Sequence, residues 1–198
     1  MSDDGVSGVT ITRFCKEFLE DDCKQQIEKW RSQQQSINRN SWHIHFILEA
    51  YLVATRSLDA QTQCGCVLTK DNRIIGTGYN SFIGGINDNI LPNLRPDKYT
   101  FMIHAEHNAL LNCVKHGIST DGAVAYVTGR PCFNCFQFLY QAGVRTIYHG
   151  ENQAIMSNSR EAEMKFEILA YLMPKMEVYC VNLDDTTRQK IEKIRSCR

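Results

Sequence analysis

The sequence lacks a surplus of either charge: Lys and Arg total 22, Asp and Glu total 22, and the formal net charge is zero. A protein built to grip duplex nucleic acid usually carries a basic excess. The balance points instead to a small-molecule substrate and away from a nucleic-acid partner. Long apolar runs are missing too, and no stretch approaches the ~20 residues of a membrane helix. The opening residues, MSDDGVSG, are acidic and lack the basic, apolar pattern of a secretory leader. No internal repeat is visible. The expectation is a cytoplasmic protein with no membrane partner. What is present suits a globular fold: 198 residues, 43% hydrophobic and 22% charged, enough for one domain with modest extensions. Nine cysteines is a high and odd count, unlike a small secreted disulfide scaffold. In a reducing setting Cys15, Cys23, Cys64, Cys66, Cys113 and Cys180 read as small buried hydrophobes.

Apolar periodicity predicts a helix over 11–35, a polar connector at 33–40 and a second helix over 43–57. Two strands follow, CGCVLT (64–69) and RIIGTGYN (73–80), joined by Asp71-Asn72, which is hairpin chemistry. Residues 81–99 form a long loop rich in Gly, Asn, Asp and Pro, a length that usually carries function or disorder. Helices at 104–116, 132–142 and 159–172 then alternate with strands at 123–128, 144–149 and 176–181, before a polar C-terminal helix. This alternation predicts a layered α/β domain with a mixed sheet. The organisation is an N-terminal helical extension over 1–40, a catalytic domain over 41–182 and a C-terminal helix over 183–198.

The chemistry lies in His104-Ala105-Glu106 and in Pro131-Cys132-Phe133-Asn134-Cys135. In Cys132-x-x-Cys135 the two thiols are three apart at a helix start and can face one point. Helix N-termini lower thiol pKa values. Two thiolates with His104 make a three-ligand Zn²⁺ site, one per chain, whose fourth tetrahedral position stays open, as in catalytic zinc sites. Glu106 is placed to move protons for an attacking water. Two other readings fit the same residues. The Cys pair could be redox-active, or His107 could close a structural Cys₂His₂ site. Cys113, nine residues after His104, falls on the opposite helix face.

H-x-E…P-C-x-x-C is the signature of zinc nucleobase deaminases. The chain resembles the cytidine-deaminase-like superfamily and, within it, the deoxycytidylate (dCMP) deaminases. The resemblance runs from about Trp42 to Val181 through GCVLTKDNRIIGTGYN (65–80), GGINDNILP (84–92), IHAEHNA (103–109) and YVTGRPCFNC (126–135). It implies a three-layer α/β/α fold, a five-stranded mixed sheet with helices on both faces, and zinc-dependent conversion of dCMP to dUMP and ammonia for thymidylate synthesis. It assigns Glu106 as catalytic, Asn80 to the sugar and Ala105 to the base. Lys115 and Lys98 are candidates for the 5′-phosphate. Members of the family are typically homohexamers, activated by dCTP with Mg²⁺ and inhibited by dTTP. That implies a second nucleotide site in the 81–93 loop, with Gly85 approaching phosphate and Asn87 and Asp88 supplying oxygen ligands for Mg²⁺. The stretch SLDAQTQCG (57–65) departs from many relatives, with Asp59 and Gln61 where a Cys and an Arg are common. That departure leaves dCTP open as an alternative substrate. A polynucleotide deaminase and a non-catalytic zinc protein are the remaining readings.

Overall fold

The computed structural model describes Gln25 and residues 41–152, 160–173 and 175–196. The helix expected over 11–35, and with it the N-terminal extension, lies outside the described residues apart from Gln25. The chain divides into two units, 1–39 and 40–198, and the fold below is that of the second. Its elements run α1 (Trp42–Ala54), β1 (Gly65–Lys70), β2 (Arg73–Tyr79), a short 3₁₀ helix (Asp97–Thr100), α2 (Ala105–Lys115), β3 (Val124–Gly129), α3 (Phe133–Gln141), β4 (Thr146–Asn152), α4 (Arg160–Leu172), β5 (Glu177–Cys180) and α5 (Asp185–Ser196).

The sheet order is β2-β1-β3-β4-β5. β1 pairs antiparallel with both β2 and β3, whereas β3-β4 and β4-β5 are parallel. The antiparallel arm follows from the hairpin at Asp71 and Asn72. Both have positive φ, 51° and 57°, the left-handed pair that a tight two-residue turn requires. The parallel arm follows from the helical crossovers α3 and α4.

Strand alternation sorts the core into two halves. Cys66, Leu68, Ala125, Val127 and Ile147 face α2 and α3 through Ala105, Ala109, Cys113, Phe136 and Leu139, with Leu169 of α4 packed against them. Val67 and Tyr126 face the other way, onto Phe46, Ile47, Ala50 and Tyr51 of α1 and onto Leu183 and Ile191 on and before α5. The result is a three-layer α/β/α sandwich around a mixed five-stranded sheet. Cys66 and Cys113 are fully buried in it, as small hydrophobes.

Two glycines set how closely the layers meet. A Cβ at Gly65 would stand 2.0 Å from the Ala50 carbonyl, and one at Gly78 would stand 2.3 Å from both Ala105 O and Ala109 N. Without side chains there, α1 lies tight on β1 and the first turn of α2 lies tight on β2. Asn108 and Asn112, four apart on α2, donate to the carbonyls of Tyr79 and Thr77 on the edge strand. They fix the helix along its length, and so fix what its N-terminus presents.

Candidate metal and nucleotide site

His104 caps α2 and Cys132 caps α3, both with extended backbone. Pro131 lies just outside the helix, two positions before its first residue, Phe133. Cys135 is the third residue inside α3. Cap and third-residue side chains meet at a helix start, the geometry that capping boxes exploit. The two thiols therefore converge. Cys132 Sγ lies 3.4 Å and Cys135 Sγ 3.3 Å from His104 Nδ1. One donor atom from each residue falls within 4.8 Å of the others, the single such His/Cys/Asp/Glu group found among the described residues. A tetrahedral Zn²⁺, bonded at about 2.3 Å to sulfur and about 2.0 Å to nitrogen, sets its donors roughly 3.5 Å apart. The residues fit that ion in donor type and in spacing.

The three side chains are coupled in their protonation. A hydrogen bond from Cys135 pulls the Cys132 thiol down to about 4, with His104 and the Cys135 amide adding to it. Cys135 is pushed the other way, first by that same shared bond and then by burial and the charge of Glu106. The shared bond favours ionisation of Cys132 over Cys135, and the contact with Cys132 raises the His104 imidazole. Glu106, in the first turn of α2, is 5% exposed, and burial raises its carboxyl above the usual value. His107 does not join the cluster. Its ring packs edge-on against Phe138 at 4.7 Å between centroids, and burial lowers its pKa. A closed Cys₂His₂ site is not formed.

Two of the donors, His104 and Cys132, line a cavity of about 520 Å³, within the usual range for small-molecule sites. Asn80, Ala105 and Glu106 line it with His104 and Cys132. Asn80 is held on every side. Its Nδ2 donates to Asp59 Oδ2 at 3.0 Å and to Thr62 O at 2.9 Å, and its Oδ1 accepts from Cys64 N at 2.8 Å. Asp59 also receives the Gln61 and Thr62 amides and both contacts of Lys98 Nζ, at 2.6 and 2.7 Å. Each side chain of that ion pair is 3% exposed. Burial pushes the Asp59 carboxyl up, but Lys98 and the two amides outweigh it and hold the pKa below the ordinary value.

Two expectations change here. Lys98 lines the cavity, yet its ammonium is closed onto Asp59, so it is a wall group and not a phosphate holder. Lys115 is exposed in the last turn of α2, whose first turn holds Glu106, and it does not line the cavity. Ten residues of helix separate it from the site by roughly 15 Å. Gly85, Asn87 and Asp88 are exposed on the long loop and also stand outside the lining. A Cβ at Gly85 would meet nothing within 4 Å, and its φ is +90°. Sequence reasoning gave no role to the cavity arginines Arg95, Arg130 and Arg195. The one local signal was Arg130, directly before Pro131-Cys132.

Comparison with known proteins agrees with this geometry. Residues 40–151 match the family described as the cytidine and deoxycytidylate deaminase zinc-binding region. The chain belongs to this family. It is 34% identical over 157 residues to ComE operon protein 2 of Bacillus subtilis (strain 168), covering 78% of this chain and 82% of that one. It is 34% identical over 126 residues to human deoxycytidylate deaminase, covering 57% and 70%. Among solved structures, the apo dCMP deaminase of cyanophage S-TIM5 superposes with a TM-score of 0.56 at 25% identity, over 73% of this chain and all of that one. Membership carries the expected α/β/α fold and makes a zinc role for the His104, Cys132 and Cys135 cluster the natural reading. No described helix is long and apolar enough to cross a membrane.

Proposed function

We propose that this protein is a zinc-dependent hydrolase that deaminates dCMP to dUMP and ammonia. The observation that carries it is the meeting of three metal donors with a buried carboxylate, Glu106, on the wall of a nucleotide-sized cavity. Relatives named deoxycytidylate deaminase support the choice of substrate.

His104, Cys132 and Cys135 would hold Zn²⁺, which supplies the Lewis acidity that makes water a nucleophile near neutral pH. Ala105 sits between ligand and base, so its backbone borders the cytosine ring. Glu106 takes one proton from the water that attacks C4 and delivers it to N3, then takes the second from the hydroxyl so formed at C4 and delivers it to the leaving amine. Water adds at C4, the C4–N bond breaks, ammonia leaves and uracil remains. A raised carboxyl pKa suits a group that must both accept and release a proton. The Asn80 amide N–H groups are both engaged, so its contribution to the sugar is the free lone pair of Oδ1, which accepts a hydroxyl hydrogen.

The same reading places a regulatory dCTP–Mg²⁺ or dTTP on the open turn at Gly85, Asn87 and Asp88, within a homohexamer. The loop continues into the 3₁₀ helix, where Lys98 reaches Asp59 and through it Asn80. That is a physical route from effector to substrate contact.

One assay tests both parts. dCMP, deoxycytidine, dCTP and cytosine in single-stranded DNA are each followed by loss of cytosine absorbance, with and without dCTP–Mg²⁺ and dTTP. The expected result is dCMP as the preferred substrate, with rates that move with effector. Preference for DNA would make the protein a polynucleotide deaminase. No turnover of any would make it a non-catalytic zinc protein. Flat rates would remove the regulatory site.

A further inference from the structure

The charge on the cavity wall comes from an unexpected part of the chain. Arg95, Lys98, Arg130 and Arg195 line it against two carboxylates, Asp59 and Glu106. Lys98 is closed onto Asp59, and Glu106 stands beside the metal donors. The positive character of the wall is therefore carried by arginines. Arg130 is two residues before Cys132. Arg195 comes from the last turn of α5, far beyond residue 151, where the family match ends.

Arg195 is held in place from two sides. Its guanidinium carbon lies 5.3 Å from the centre of the Tyr51 ring, and its Nη1 lies 3.2 Å from Glu192 Oε1 one turn back. Tyr51 is fixed in turn, since its hydroxyl donates to the Thr128 carbonyl at 3.1 Å. Thr128 leads through Gly129 to Arg130, so the ring beneath Arg195 is tied to the strand end that carries Arg130. Behind them, Ile191 anchors α5 in the α1 face of the core. The Arg195 side chain remains 41% exposed, open to a solute entering the cavity.

We propose that Arg195, with Arg130, seats the substrate's 5′-phosphate, so that the C-terminal helix completes the substrate site and selects a nucleotide over a nucleoside. This rests on the dCMP reading above. The chemistry favours arginine for the task. A planar guanidinium offers two parallel N–H donors to phosphate oxygens. Stacking on an aromatic ring orients that plane.

The test compares the parent with Arg195→Gln and Arg195→Lys in the full-length, zinc-loaded protein. Calorimetry gives the Kd of dUMP and of deoxyuridine, and steady-state kinetics give kcat and KM for dCMP and deoxycytidine. Arg195→Gln should weaken dUMP binding and raise the KM for dCMP by about tenfold or more, the scale of a lost charge-assisted hydrogen bond. The preference for dCMP over deoxycytidine should fall by a similar factor, while kcat for dCMP stays within about twofold. Arg195→Lys should recover part of the preference, because it keeps the charge and loses the fork. Unchanged dUMP affinity, or equal losses for nucleotide and nucleoside, would overturn the proposal by leaving Arg195 only a packing role. A parent that binds dUMP but deaminates nothing would instead overturn the catalytic reading, and dUMP binding by the variants would still decide the phosphate seat.

Discussion

Glu106 and the side chains that hold Asn80 carry the account at the scale of single residues. Glu106→Gln keeps shape and burial but cannot shuttle protons. The variant should retain about one zinc per chain and lose turnover by ~10²–10⁴-fold or more. His107→Ala should keep both metal and activity, because His107 packs on Phe138 and stands outside the donor cluster. Metal content by atomic emission, read beside turnover, checks both. Loss of zinc in His107→Ala with an active Glu106→Gln would restore the structural-zinc reading. The Asp59–Lys98 pair makes a separate prediction. Removing one partner of a buried pair strands the other charge, so Lys98→Met should cost about 3–5 kcal/mol in denaturant unfolding. The sign with pH follows from the lowered Asp59 pKa. Asp59 binds its proton more weakly folded than unfolded. Its contribution is therefore full above the ordinary carboxylate value of about 3.9 and is lost as pH falls through the lower folded value. The parent should lose stability more steeply below about pH 4 than Asp59→Asn does. Parallel acid-unfolding curves would contradict this.

At the scale of elements, α2 matters for where its first turn points. Gly78 lets that turn rest on β2, and a methyl group there would meet Ala105 O and Ala109 N at 2.3 Å. Gly78→Ala must push α2 outward, carrying His104 and Glu106 with it. A misplacement of about 1 Å can cost ~10²-fold in rate. The expected result is a folded protein by circular dichroism with kcat/KM reduced by about that factor; a fully active Gly78→Ala would refute the role given to this contact. The elements themselves were legible in the sequence. Apolar periodicity located α1, Asp71-Asn72 announced the hairpin, and Cys-x-x-Cys after proline marked the start of α3. The partners of Asp59 were not legible. Lys98 is 39 residues away on a short 3₁₀ helix at the end of the long loop, where no periodicity relates the two. Lys115 was misplaced for a related reason. Helical spacing fixes a face, but distance along the axis carries a residue out of reach of the site.

For the whole molecule, the site is assembled from distant parts of the chain. The α1–β1 loop supplies Asp59 and Gln61, the 3₁₀ helix supplies Lys98, α2 and α3 supply the donors, and α5 supplies Arg195. A motif reading sees only the segment around His104 and Cys132, which suffices for the metal and the reaction. Phosphate recognition is spread over the rest, and Arg195 carries no local signal in its polar helix. The central claim joins metal to reaction in one protein, and a titration tests it. Metal-free protein is titrated with Zn²⁺ while dUMP formation from dCMP is followed on the same samples. The account predicts turnover that rises linearly and breaks at about one zinc per chain, as a single three-donor catalytic site requires. Turnover without zinc, or stoichiometric zinc binding with no dUMP formed, would contradict it.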